Sequence, residues 1–105
     1  MPDLLAPRPW FDRVDGAPVP AVIYHATTPK KLAKYHTTGT ILPPVRGFDT
    51  LAACQRWART RKRTITVRVT PSGPVWPLPD HHQPEGLAWW TTRISAFEVL
   101  DAAKL

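Results

Sequence analysis

Three stretches of the chain carry side chains suited to chemistry. His25 ends the apolar run Ala21-Val22-Ile23-Tyr24-His25 and is followed by Ala26-Thr27-Thr28-Pro29. A histidine at a strand end, beside hydroxyls and ahead of a helix start, can hydrogen-bond a ribose or a phosphate, and the helix start adds a dipole that favours an anion. The same residue can equally be a core histidine bonded to backbone. Asp80-His81-His82 stands in a proline-bounded loop with Glu85 just beyond. That group admits acid–base work by a histidine and a carboxylate, a metal site, or a solvated loop. Metal binding is the weakest of the three, because adjacent side chains in extended backbone diverge. No metal is therefore expected. Arg46 lies in Pro43-Pro44-Val45-Arg46-Gly47, where a rigid turn would present a guanidinium to a phosphate or simply to solvent as a surface charge. Trp89 and Trp90 are neighbours, so on a strand one points inward and the other outward, where it can stack a base or nicotinamide; the competing reading is core on both sides of an edge. Cys54 reads as a buried structural thiol.

The elements that must position these residues are legible in outline. The run 21–25 is rich in β-formers and reads as a strand. Thr28 suits a helix N-cap, Pro29 the first helical position and Gly39 the C′ position, which predicts a helix from Lys30 to about Thr38. Thr40-Ile41-Leu42 reads as a short strand stopped by two prolines. Asp49 or Thr50 caps a second helix from about Leu51 to Arg61, with Leu51, Cys54, Trp57 and Ala58 on its apolar face. Thr64–Thr70 alternates strictly, so Ile65, Val67 and Val69 face the core while Thr66 and Arg68 face out. Val75–Leu78 is a weaker extended piece, and Pro79–Gly86 is a polar loop. Leu87–Thr91 is a strand, and Arg93–Val99 another, with Ile94 and Ala96 on one side and Ser95, Phe97 and Val99 on the other. This order gives an α+β domain: two short helices on a small mixed or antiparallel sheet.

Composition narrows the partners. The 105 residues make one small domain, 21–105, preceded by an arm, 1–20, that holds five of the 13 prolines. Lys and Arg total 14 against 8 Asp and Glu, a net charge of +6. With a pI near 10.1, the chain favours a polyanion, meaning nucleic acid, a nucleotide or an acidic partner, unless the charge serves only to keep a small domain in solution. No apolar run is long enough to span a bilayer, and no signal-peptide pattern opens the chain, so no membrane is expected and the cytoplasm is the expected compartment. The lone cysteine excludes an intrachain disulfide. Neither Gly-x-Gly-x-x-Gly nor a Walker A loop is present, so no glycine loop cradles a phosphate.

Tyr24-His25-Ala26-Thr27 ending a strand, Leu32 in a helix, and then Gly39-Thr40-Ile41-Leu42-Pro43 together resemble the opening of the ADP-ribosyltransferase superfamily. That group includes RNA 2′-phosphotransferases, poly-ADP-ribosylating enzymes and nucleic-acid-modifying toxins. Gly47-Phe48-Asp49-Thr50, followed by Ala52, Ala53 and Trp57-Ala58, resembles its second motif, and the likeness covers about residues 21–70. The resemblance implies NAD or a related nucleotide as ligand. His25 and Thr27 would hold the adenosine ribose, Arg46 would meet a phosphate, and Phe48 would stack on the nicotinamide, with Tyr24 and Thr50 as further cofactor-binding residues. The third motif, a glutamate on a late strand, has only Glu85 and Glu98 as candidates. Glu85 or His81 would polarise the 2′-hydroxyl or the acceptor, which would be a nucleic acid or a protein. The stretch from Leu78 to Trp90 resembles small bacterial and phage-type proteins, a likeness that implies no function.

Two other functions compete with a transferase. A small ribonuclease that needs no NAD would use His25, His81 or His82 as acid and base. A non-enzymatic interaction protein would use the fold as scaffold, with the space around His25 filled by its own side chains.

Overall fold

A computed structural model describes residues 19–100; the N-terminal arm of the sequence reading lies outside them, apart from 19 and 20. The order is β1 (Ile23–Thr27), α1 (Pro29–Thr38), β2 (Val45–Phe48), α2 (Leu51–Thr60), β3 (Ile65–Pro71), β4 (Val75–Pro77), a 3₁₀ turn (Pro79–His81), β5 (Ala88–Thr91) and β6 (Ile94–Val99). The strands form one sheet in the order β4-β5-β2-β1-β3-β6, and every pairing is antiparallel. The domain is α+β, as the element order predicts.

Both helices start where their caps lie. The Thr28 hydroxyl accepts from Lys31 N–H, Pro29 opens α1, and Gly39 at φ 77° donates its N–H to Tyr35 O. Thr50 accepts from Ala53 N–H and opens α2. The two helices pack differently. α1 buries no residue completely and rests on half-buried Leu32 and Tyr35. α2 buries Ala53, Cys54 and Ala58, small residues that bring its axis close to the sheet. Leu51 is 37% exposed, so the buried stripe runs through Ala53 in its place.

The sheet therefore has two apolar faces. Ile23, Val45, Val67, Val69, Leu87 and Trp89 pack on the α1 side. Ala26, Phe48 and Ala88 pack on the α2 side. Each of the fully buried Val and Ile side chains contributes about 2 kcal/mol of transfer free energy. A sheet covered on both faces also explains Thr66: it alternates outward from Val67, as expected, but that direction is under α2, so it is buried.

Three strand assignments are corrected. The first strand runs from Ile23 to Thr27, so His25 is its central residue and not its end, and the turn expected at Arg46 is strand. Ile41 is buried, but 40–42 form no strand; β2 is Val45–Phe48, downstream of the prolines. Alternation in β6 breaks at Ser95, because Thr70 pairs with Ala96 while Pro71 pairs with Ile94. The extra residue is a bulge, and it turns Ile94 and Phe97 to the same core side. Uninterrupted alternation would have put them on opposite faces.

Candidate functional site

The β1–β2 seam is the thinnest join in the sheet. It holds one registered pair, Tyr24↔Phe48, whereas β1 and β3 share five. His25 bridges the two strands with its side chain. Its Nδ1–H donates to the Arg46 carbonyl at 2.7 Å. Its Nε2 is then the acceptor of a 3.0 Å bond from Tyr35 O–H, and Tyr35 accepts in turn from the Thr27 hydroxyl at 3.1 Å. This chain of donors fixes one neutral tautomer.

Burial holds the His25 pKa below the ordinary value of 6.5; the bond to the Arg46 carbonyl opposes that shift, and Arg63 and Lys31 reinforce it. The sign of the linkage follows. Below pH 6.5 the unfolded chain binds a proton at His25 that the folded chain does not, so this contribution to stability is complete above 6.5 and is lost as pH falls toward the folded pKa. Thermal melts of wild type and His25→Gln between pH 5 and 8 test this. The wild type is expected to lose more stability on acidification than the variant, and parallel curves would show that His25 does not titrate on unfolding.

A cleft of about 600 Å³ opens beside this seam, with walls from both helices, the 40–44 loop, β2, the 78–81 turn and β5. Its cations are Lys31, Lys34, Arg46 and Arg63, and none of its lining residues is acidic. Phe48 and Trp57 form an aromatic wall, with ring centroids 6.0 Å apart. His81 stacks on the Trp57 indole, with centroids 6.4 Å apart and planes at 30°. Arg61 and Arg63 each hold a guanidinium carbon 5.4 Å from the Trp57 ring centroid. The end of α2 arranges this. Lys62 takes a left-handed φ of 56°, Arg63 N–H donates to Ala58 O, and the chain turns so that Arg63 also donates to Ala26 O at 3.3 Å.

The cleft brings together His25, Arg46, Phe48 and His81 from widely separated parts of the chain. The other residues singled out from the sequence lie elsewhere. Tyr24 packs on the α2 side of the sheet, and Thr27 is wholly buried behind Tyr35. Thr50 is committed to capping α2 and donates to the Glu85 carbonyl. Glu85 lines no part of the cleft: its carboxylate is bonded to Arg56 Nε at 2.7 Å, and that contact lowers its pKa. Glu98 pairs with Arg68 across β3 and β6. Asp80 is exposed on the 3₁₀ turn. His82 is buried and accepts from Ala88 N–H through Nδ1. Trp89 is buried with its indole N–H donating to Asp49, and Trp90 faces the other way. Among the described residues no group of three or more His, Cys, Asp or Glu is placed to hold a metal. Burial pushes the Cys54 thiol up to about 12, against a partly opposing bond with Thr66, so it is no nucleophile.

Sequence reasoning missed Lys31, Lys34, Tyr35, Trp57 and Arg63 as site residues. Lys31, Lys34 and Tyr35 stand at i, i+3 and i+4, one helix face, and that spacing was the available signal. Trp57 and Arg63 had ordinary explanations, as core and as complement to a helix dipole. No helix among the described residues is long and apolar enough to cross a membrane. No family model, no curated protein and no solved structure matches the chain.

Proposed function

We propose that the cleft binds NAD or a related nucleotide. The observation that carries this reading is the composition of the wall: four cations, no carboxylate, and the Phe48–Trp57 aromatic pair around one cavity. Its volume falls within the range of small-molecule sites. Phosphates would meet Arg46, Arg63 and the two α1 lysines, and a base or nicotinamide would stack on the aromatic wall. The ADP-ribosyltransferase resemblance supports the same class of ligand through His25, Arg46 and Phe48. A glycosyl transfer through an oxocarbenium-like state calls for a carboxylate near the ribose. Glu85 is held away by Arg56. The geometry therefore supports binding, and it assigns no transfer step to Glu85.

A second reading has one observation in its favour. His25 and His81 share the cleft with the cations, as an acid–base pair acting on an RNA phosphate would require.

Calorimetric titration with NAD, ADP-ribose and a short RNA tests both readings. Saturable binding of NAD or ADP-ribose is expected, weakened at least tenfold in Arg63→Gln and unchanged in Glu85→Gln. Heatless titrations at millimolar ligand would remove the nucleotide site. Binding abolished by Glu85→Gln would return that carboxylate to the mechanism. RNA cleaved without NAD or metal, and left intact by His81→Ala, would establish the second reading.

A further inference from the structure

Beside the cleft lies an aromatic row that nucleotide binding does not explain. Trp76 of β4 pairs with Trp90 of β5, and Trp90 pairs with Arg46 of β2. Residues paired across antiparallel strands project to the same side, so the three side chains form one line over the sheet. The Trp76 and Trp90 ring centroids are 4.6 Å apart, with planes at 33°. Trp76 stands on the outermost strand and is 38% exposed, Trp90 is half-buried, and Arg46 is exposed and lines the cleft. A tryptophan pair that served only to pin a short edge strand would gain most by burying both rings. Here the outer indole keeps a face in water, and the row leads to a cationic cavity.

We propose that Trp76, Trp90 and Arg46 form a track for single-stranded nucleic acid that leads into the cleft. Bases stack on the indoles and a phosphate meets Arg46. Stacking on a π-face tolerates any base, and an arginine beside stacked aromatics is the pairing such strands use. Two strand spacings separate Trp76 from Arg46, about 10 Å, which a trinucleotide can span. The net charge of +6 suits a polyanion. The destination of the strand rests on the nucleotide reading of the cleft; the stacking row does not.

The test uses the full chain, labelled heptamers of deoxythymidylate and of uridylate, and fluorescence anisotropy, with NAD titrated separately. Binding of at least one heptamer is expected, with quenching of indole emission. Trp76→Leu keeps apolar cover but no π-face, and is expected to weaken heptamer binding by about tenfold while leaving NAD affinity unchanged. Trp76→Tyr keeps a ring and is expected to stay close to wild type. Arg46→Gln is expected to reduce the slope of log affinity against log salt by about 0.7. Heptamer binding equal in Trp76→Leu and wild type, or no heptamer binding, overturns the track whether or not NAD binds. Should the leucine variant fail to fold, absence of indole quenching in the unaltered chain overturns it equally. Trp76-dependent heptamer binding without NAD binding supports the track and removes the nucleotide reading of the cleft.

Discussion

Trp57→Ala is expected to weaken nucleotide binding by a factor of about 30 and to lower stability by about 3 kcal/mol. No other side chain in the cleft joins as many of its parts. The indole packs against Phe48 at a tilt, stacks on His81 and carries both Arg61 and Arg63 over its ring. Removing it takes away the aromatic wall and the surface that orients Arg63 at the same time. The stability cost reflects its half-buried position against the α2-side core, where a truncated side chain leaves space that the sheet cannot fill by moving. Trp57→Phe separates the two effects. It keeps a ring for stacking and most of the packing, so affinity is expected to fall only a few-fold. Calorimetry with NAD and urea melts on both variants provide the measurement. If Trp57→Ala loses stability but keeps its affinity, the aromatic wall is core alone and the ligand lies elsewhere in the cleft.

What was legible in the sequence follows from how local each signal is. Caps are local, so Thr28, Gly39 and Thr50 bounded both helices correctly from residue type and spacing. Alternation is local too, and it located β3. Coverage of a sheet is not local. Thr66 looks solvent-facing because a polar residue alternates with valines, yet α2 lies over it with small side chains that admit a close approach. The bulge at Ser95 is invisible for the same reason: only the partner strand shows that one residue has no counterpart. β2 escaped notice because its four residues include a glycine and follow two prolines, so both propensity and punctuation argue for a turn; pairing on both sides overrides them. The candidate site divides along the same line. His25, Arg46 and Phe48 were visible from residue type and their immediate neighbours, although His25 stands at the centre of β1 and Arg46 inside β2, not at a strand end or on a turn. The lysines of α1 and the stack on Trp57 depend on where the elements meet, and so does the pairing of Glu85 with Arg56, 29 residues away.

Gly47→Ala is expected to destabilise the domain by about 2 kcal/mol, lowering the melting temperature by about 10 °C. A Cβ at this position would stand 2.7 Å from the Tyr24 carbonyl oxygen and 3.1 Å from Ile23 Cβ. The first of these neighbours is backbone of the adjoining strand, which cannot rotate away as a long side chain would. The strain must therefore be relieved by moving β2 off β1. That seam has little to resist with, since it holds the Tyr24↔Phe48 pair and the bond from His25 to the Arg46 carbonyl. Separation would break the His25 bond, release the tautomer it fixes, and shift Arg46 and Phe48 relative to Lys31 and Lys34 across the cleft. Nucleotide affinity is accordingly expected to fall along with stability, although Gly47 has no side chain to offer a ligand. A melt unchanged from wild type would mean that the strands stand farther apart than this contact requires. A destabilised variant that binds NAD with full affinity would show that the seam supports the fold without setting the geometry of the cleft.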